Sequence, residues 1–405
     1  MTDEETDRPD DAEAAASAAA EVAVIGAGIG GLATAILLQR QGTSTVVYER
    51  REEGESIGAG IVLQPNGLAV LDAIGVVDEL RAGGSELGSL RLLDGRLRPI
   101  VDNPVLGGPS QGTALVVSRS NLHRALLQSA RAVGVSVVHG RRLQEIAGPD
   151  PEPELVFDDG AVAAPSLVVG ADGQGSVVRR FVDPAGPTPK AGRAYVRALV
   201  DWVCVEDLHG EYWTRKGLAG ILPCGPASTY FYCTATPGIA AAVDAGDLDA
   251  FRKEVSAAHP PLVQAVNALS DVGAARLDRV VEVQVNQLYR GPVALLGDAA
   301  HAMAPNLGQG ANSALVDAGV LACEVDRRHG VGEALAAYDA RRSEAVRRVQ
   351  LDAGRLARVA HFPRARPLRN RVLRHAPSRL TAVGARRVLQ VDLAGFRHEL
   401  AELSA

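Results

Sequence analysis

Near its start the chain carries short, unbroken apolar runs separated by glycine. Glu21-Val-Ala-Val-Ile25 reads as a buried strand, Gly30 to Arg40 as a helix and Ser44-Thr-Val-Val-Tyr48 as a second buried strand, which together predict a β-α-β unit. A leucine- and alanine-rich helix from about Asn121 to Val133, a strand at Val135 to Val138, a hairpin between Leu155 and Val162 and a buried strand Ser166 to Gly170 extend the same pattern. Between about Ala191 and Val285 the pattern changes. Ala194 to Cys204, Gly220 to Leu222 and Thr229 to Thr234 alternate as sheet strands do, and aromatic residues are concentrated there. Val293-Ala-Leu-Leu296 then resumes the first pattern, runs straight into Gly297-Asp298 and is followed by a helix after about Gly310. Beyond Gly332 the periodicity is helical, with Val346, Val349, Ala353, Leu356 and Ala360 on one stripe and arginines opposite.

The pattern predicts an α/β chain built around a Rossmann-like, cofactor-binding domain from residues 21–75, 110–185 and 286–340. An interleaved β-sheet substrate domain is expected from 76–109 and 186–285, and a C-terminal helical segment from 341–405. Residues 1–20, acidic and alanine-rich without strand or amphipathic pattern, are expected to form a disordered tail. At 405 residues the chain exceeds what one core usually organises, so two packed domains can bury a large cofactor.

Charge narrows the function classes. Acidic residues outnumber basic ones, 48 against 42, which argues against a nucleic-acid binder. The arginine clusters at Arg347-Arg348 and from Arg364 to Arg374 read as solvated helix faces, in preference to docking sites for an anionic partner or membrane. Four cysteines, Cys204, Cys224, Cys233 and Cys323, lie far apart with no C-x-x-C pair, so no metal site or redox dithiol is signalled and a cytoplasmic location fits. The uncharged stretch Val22 to Leu38 follows an acidic segment and is interrupted by glycines, which speaks against a signal peptide or integral membrane segment.

Three glycine-bearing turns carry the chemistry. Gly26-Ala-Gly28-Ile-Gly-Gly31 supplies G-x-G-x-x-G between strand and helix, and Glu49 closes the next strand. Gly26 permits the tight turn, Gly28 lets backbone approach a pyrophosphate, Gly31 lets helix and strand pack, and Glu49 offers acceptors to ribose hydroxyls. This fingerprint alone does not separate FAD from NAD. Val168-Val-Gly-Ala-Asp172-Gly173, followed by Ser176 and Arg179, is a second strand running into an acidic turn, for which a solvated Asp-Gly turn is the plain alternative. The third is Leu295-Leu-Gly-Asp298-Ala-Ala-His301, with Pro305 and Gly308-Gln-Gly310-Ala311-Asn312 after it. A buried strand delivers the Asp298 carboxylate to a place where it needs polyol hydroxyls, and the amides of a helix start can hold the charge of a reduced flavin. His301 reads as a capping or packing residue.

In this order and spacing the three turns resemble the class A flavoprotein monooxygenases, the family of para-hydroxybenzoate and salicylate hydroxylases. The resemblance spans nearly all of the chain after the tail, with further matches at Gly58 to Asn66, Leu71 to Gly75, Ser118 to His123 and Ala194 to Arg197. It implies that Glu49, with Arg50 beside it, binds the FAD ribose, Arg119 its phosphate or ribityl region, Asp298 the ribityl or pyrophosphate, and Gly308 to Asn312 the flavin ring. Asp172 and Arg179 match a segment implicated in FAD and NAD(P)H binding. It further implies an FAD-dependent enzyme that consumes NADPH or NADH and O2 and passes one oxygen atom from a flavin hydroperoxide to an electron-rich, aromatic small molecule. One departure is that the family's Trp-Arg pair appears here as Val196-Arg197.

Such chemistry needs a dry pocket and a group that raises the substrate's electron density. Candidate catalytic residues are Arg197, His209, Tyr212 and Pro305, and candidate substrate contacts are Tyr195, Trp213, Pro223, Tyr230 and Tyr232. Tyr230 and Tyr232 share one strand face, which faces either the pocket or a wet surface. Rival readings are a flavin-dependent reductase or epoxidase, or a non-catalytic FAD-binding redox protein. A flavin halogenase would need a Trp-x-Trp-x-Ile-Pro run, which Trp202 and Trp213 do not form. A compact monomer or homodimer is expected.

Overall fold

A computed structural model describes residues 20–54, 58–101, 112–148, 152–362, 366–375 and 389–403. The expected tail, all but its last residue, lies outside the described residues, as does part of the arginine-rich run after residue 362.

The first sheet has six strands, in the order Tyr289–Arg290, Val293–Leu295, Leu167–Gly170, Val22–Ile25, Thr45–Tyr48 and Ser136–Val138. All pairings are parallel except that of the edge strand Tyr289–Arg290. Helices cover the sheet, so its central strands are buried along their whole length and read in sequence as continuous apolar runs. The register places Ile25 beside Gly170 and Gly170 beside Leu295. Three neighbouring strands therefore end level, and the three turns emerge together from their carboxyl ends, where open α/β sheets bind ligands.

The second sheet has seven strands, in the order Arg276–Glu282, Lys190–Val200, Thr229–Thr234, Leu218–Pro223, Gly210–Trp213, Leu92–Asp94 and Pro99–Val101. Its pairings are antiparallel apart from that of Gly210–Trp213 with Leu92–Asp94. Two helices that the alternation had not revealed, Pro237–Asp244 and Leu248–Ala258, pack on one face and bury Ile239, Phe251 and Val255 against Val196, Ala198, Tyr212 and Phe231. Each is capped by a side chain, Thr236 accepting from the amide of Ile239 and Asp247 from that of Ala250. The opposite face of the sheet turns towards the first sheet.

A three-stranded sheet, Gly60–Leu63, Ala114–Ser118 and Ser85–Leu87, lies beside that cleft. The helix Gly310–Arg327 packs on Ile29–Arg40 and on the long helix Val331–Ala360, and Leu393–Glu402 closes over Pro65–Ile74. Among the described residues no helix is long and apolar enough to cross a membrane. All four cysteines are buried and free.

Candidate active site

Gly26 has φ +108, and a β-carbon there would sit 2.5 Å from the carbonyl oxygen of Ala171. Gly31 is tighter still, its β-carbon falling 2.0 Å from the carbonyl of Gly26. Gly28 differs, because open space lies beside its α-carbon at the start of the helix Ile29–Arg40. Glu49 accepts from the amides of Ala27 at 2.9 Å and Arg51 at 3.0 Å. Burial raises its proton affinity, but these bonds and the Arg51 guanidinium outweigh burial and keep the carboxylate charged. His123 reaches back from the helix Arg119–Ala132 and donates to the carbonyl of Ala27 at 2.7 Å.

In the second turn Asp172 accepts from the amides of Val177 at 2.7 Å and Val178 at 3.3 Å through one oxygen. Its other oxygen is buried without a partner, and burial pushes its pKa up. Arg179 is spent on the carbonyls of Ala299 and Gln174, both at 2.8 Å, and ties the second turn to the third without lining the cavity.

Behind the third turn lies a buried network. Asp317 accepts from the amide of Gly297 at 2.9 Å, from His301 Nε2 at 2.5 Å and from Arg342 at 2.7 Å. Arg342 continues to Gln390, which donates to Gln309 at 2.8 Å, and Gln309 donates to Gln64 at 2.6 Å. The positive φ of Gly297 and Gly308 and the start of the helix at Gly310 are held by this network. Asn312 belongs to it as well. Its side chain is fully buried, donates to the carbonyls of Val62 and Gly308 and accepts from the amide of Gln64, so it supports the loop and does not face the cavity.

On the facing sheet Arg197 is clamped to Asp278 at 2.6 Å, and Asp278 also receives Arg276 at 2.8 Å. The rings of Tyr230 and Tyr232 lie 5.5 Å apart, and both residues line the cavity. Glycines make room for them, since a β-carbon at Gly60 would strike the Tyr230 ring and one at Gly220 the Tyr232 ring, each at 2.2 Å. Tyr195 donates to Asn306 at 3.5 Å, joining this sheet to the Pro305–Leu307 turn, and burial pushes its pKa up to about 12.

Three candidates lie elsewhere. Tyr212 points to the opposite face of its strand, is fully buried against the two helices and donates to the carbonyl of Leu208. His209 faces the carbonyl of Cys204 at 3.2 Å, and neither it nor Pro223 lines the cavity. The residue that the sequence reading passed over is Glu211. Strand alternation puts it on the face opposite Tyr212, with Trp213, and that signal was present in Gly210-Glu-Tyr-Trp213. Glu211 lines the cavity and accepts from Trp213 Nε1 at 2.9 Å and from the Tyr232 hydroxyl at 3.0 Å. Burial raises its pKa, against the two bonds that lower it.

One cavity of about 1260 Å³ joins the glycine turns to the facing sheet. Gly26, Gly28, Glu49, Arg50, Arg51 and Asp172 line it at the glycine turns. Arg119 lies between that end and the sheet, within electrostatic reach of His123, Asp298, Arg197 and Arg276. Its guanidinium donates to no described residue, and burial lowers its pKa. Asp298, Pro305, Gly308, Gly310 and Ala311 follow, and beyond the tyrosines Leu92, Val101, Leu218, Leu356 and Leu373 form an apolar chamber. The groups fit a flavin dinucleotide. Gly28 and Gly310 leave open space at two helix N-termini, Arg119 offers an uncommitted cation, and Asp172 and Asn306 each keep a buried polar atom without a partner.

A family model described as an FAD binding domain matches residues 19–352. A probable 2-heptyl-3-hydroxy-4(1H)-quinolone synthase of Rhodococcus erythropolis is 33% identical over 330 residues, covering 78% of this chain and 82% of its own. A 3-amino-4-hydroxybenzoate 2-monooxygenase of Streptomyces cremeus is 32% identical over 363 residues, covering 84% and 88%. Among solved structures, Klebsiella pneumoniae HpxO complexed with FAD and uric acid superposes with a TM-score of 0.75 at 25% identity, over 92% of this chain and 97% of that one.

Proposed function

Because the chain belongs to the FAD-binding monooxygenase family of class A flavin hydroxylases, we propose that its own substrate is a heteroaromatic ring bearing an apolar substituent, hydroxylated on the ring. The enzyme is an FAD-dependent monooxygenase that uses NAD(P)H and O2 and acts on aromatic or heteroaromatic small molecules. The observation that carries the finer reading is the chamber. Leu92, Val101, Leu218, Leu356 and Leu373 wall it, next to an aromatic shelf of Tyr230, Tyr232 and Trp213. Such walls suit an alkyl chain and a flat ring, and they exclude the water that would otherwise consume reducing equivalents as peroxide.

When bound, FAD supplies hydride acceptance from NAD(P)H and delivery of one oxygen atom. This chain's residues hold and orient. Glu49 with Arg50 would hold the adenosine ribose, the amides after Gly28 the pyrophosphate, and Arg119 a phosphate or the ribityl chain. Asp298 would accept from ribityl hydroxyls, and the amides from Gly310 would hold the ring's pyrimidine edge. Asp172 orders the turn beside them, Arg179 acts only through that turn, and Asn312 only through Gly308. Pro305 and Arg197 line the cavity from opposite sides and would border the bound ring, with Arg197 kept in place by Asp278. Hydroxylation is favoured over the reductase, epoxidase and non-catalytic readings by its relatives. The free, buried cysteines support a reducing compartment. A monomer or homodimer remains the proposal for assembly, tested by light scattering.

The test is NAD(P)H consumption by holoenzyme with a 2-alkyl-4(1H)-quinolone, 3-amino-4-hydroxybenzoate and uric acid, measuring peroxide alongside oxygenated product. The quinolone should give the highest coupled rate. A higher coupled rate with either small polar compound would overturn the apolar-substituent reading.

A further inference from the structure

We propose that Glu211 is the catalytic residue that ionises the substrate, accepting the proton of an acidic ring N–H or O–H before oxygen transfer. The inference rests on the chamber being the substrate site, as read above.

Three observations carry it. First, Glu211 is placed on the strand Gly210–Trp213 so that it lines the chamber, while its neighbour Tyr212 is turned into the core behind. Second, its two oxygens are fixed by separate rigid donors, Trp213 Nε1 at 2.9 Å and the Tyr232 hydroxyl at 3.0 Å. Trp213 is itself braced by the Arg369 guanidinium, 4.6 Å from its ring centre, and Tyr232 lies over Gly220. Each carboxylate oxygen offers two acceptor positions, so each keeps one unused. Third, no cation pairs with Glu211 among the described residues, and the rest of the chamber wall is largely apolar. A half-buried carboxylate in a largely apolar chamber that neutralises no charge and caps no helix is expensive to keep unless the site uses it.

The ionisable groups around it leave the role to Glu211. On its own strand only Trp213 contacts it, and from Thr229–Thr234 come Tyr232, its donor, and Tyr230 behind that ring. Tyr195 on Lys190–Val200 is within electrostatic reach, and Arg369 from Arg366–Arg374 covers the indole. Burial raises the pKa of all three tyrosines, so they remain donors and not bases near neutral pH. The same burial moves the carboxyl of Glu211 upward, towards the range in which a carboxylate accepts a proton efficiently.

The step balances without a redox partner. The ring N–H or O–H bond breaks, an O–H bond forms on a Glu211 oxygen, and the electron pair left behind spreads into the ring and raises its nucleophilicity. Oxygen transfer then draws on FAD, NAD(P)H and O2 as the established activity already does.

The experiment compares wild type, Glu211→Gln and Tyr232→Phe as FAD-loaded holoenzymes, from about pH 5 to about pH 9. The probes are a 2-alkyl-4(1H)-quinolone and 3-amino-4-hydroxybenzoate, with the N-methyl derivative of the first and the O-methyl ether of the second. Coupled turnover by wild type should rise with pH along one limb and then level off. Glu211→Gln should lose that limb and fall roughly 100-fold or more at the plateau while keeping its flavin spectrum. Tyr232→Phe removes a donor that favours the carboxylate, so its limb should move to higher pH, which a purely structural role for Glu211 would not produce. Loss of turnover on N-methylation assigns the proton to nitrogen, and loss on O-methylation assigns it to oxygen. Wild-type rate and limb in Glu211→Gln, or full turnover of both methylated probes, would overturn the proposal while leaving the substrate class standing. Absence of stimulated NAD(P)H consumption by both unmethylated probes in wild type would overturn the substrate class, and this inference with it.

Discussion

Gly28 and Gly31 lie three residues apart, yet the structure gives them opposite tasks. The missing β-carbon of Gly31 is required by the protein itself, because the carbonyl of Gly26 occupies its place. Gly28 has empty space beside it, so its missing β-carbon is required only by whatever fills that space. Gly31→Ala should therefore destabilise even the FAD-free protein by about 1–3 kcal/mol. Gly28→Ala should leave FAD-free stability within about 0.5 kcal/mol but weaken FAD at least about tenfold, a loss of about 1.4 kcal/mol. Urea melts of both apo variants, with flavin titrations, check this, and equal apo stabilities would remove the distinction. Residues of this kind were legible in the sequence because each turn is contiguous and its backbone task selects glycine or aspartate by type. Glu211 was missed for the opposite reason. Its meaning depends on Trp213, on Tyr232 from another strand and on leucines from distant helices, none of which its local sequence announces. Tyr212, one of the candidates the sequence offers, stands on the opposite face of the same strand.

At the scale of elements, the parallel strands were read to within a residue or two because burial on both faces leaves a continuous apolar run. The helices Pro237–Asp244 and Leu248–Ala258 were not, since they interrupt a region whose neighbours alternate, and their helical spacing is carried by a few residues such as Phe251 and Val255. The turn that ends the second helix holds a pH-sensitive element. His259 is fully buried, donates from Nε2 to the carbonyl of Thr234 at 2.9 Å and keeps Nδ1 facing the Thr214 hydroxyl at 3.0 Å. Burial lowers its pKa to about 4, against a bond to Thr234 that raises it. The folded protein thus binds this proton less readily than the unfolded chain. Its contribution is complete above the unfolded value near 6.5 and is lost as pH falls towards about 4, the total being about 3 kcal/mol. Wild type should lose about 2 kcal/mol between pH 7 and pH 5 through this group, and His259→Gln should flatten that slope. Urea midpoints at the two pH values decide it, and an unchanged slope in the variant would show that the ring is not the source.

The whole molecule is organised so that neither sheet closes the cavity alone. Strands as distant in sequence as Val22–Ile25 and Val293–Leu295 end level at one rim, on either side of Leu167–Gly170, while Arg197, Glu211 and the tyrosines close the cavity from the other side. This arrangement is what the sequence disclosed least, because motif spacing states what each turn binds but not which surface faces it. It also makes the cofactor part of the protein's stability. Without FAD the guanidinium of Arg119 bonds to no described residue and an oxygen of Asp172 is buried unpaired, and a ligand that satisfies both binds the folded state alone. Linkage then fixes the size of the effect: FAD at about one hundred times its Kd adds about 2.7 kcal/mol. Melting entropy of about 2.1 cal/mol/K per residue amounts to roughly 0.8 kcal/mol/K for a chain of this length, so Tm should rise by about 3 °C. The rise should grow with the logarithm of FAD concentration and should be reduced in Arg119→Met, whose side chain keeps much of the bulk but loses the cation. Calorimetry of apo protein titrated with FAD tests it. A Tm indifferent to FAD would mean that the cavity between the sheets is not where the cofactor meets the folded chain.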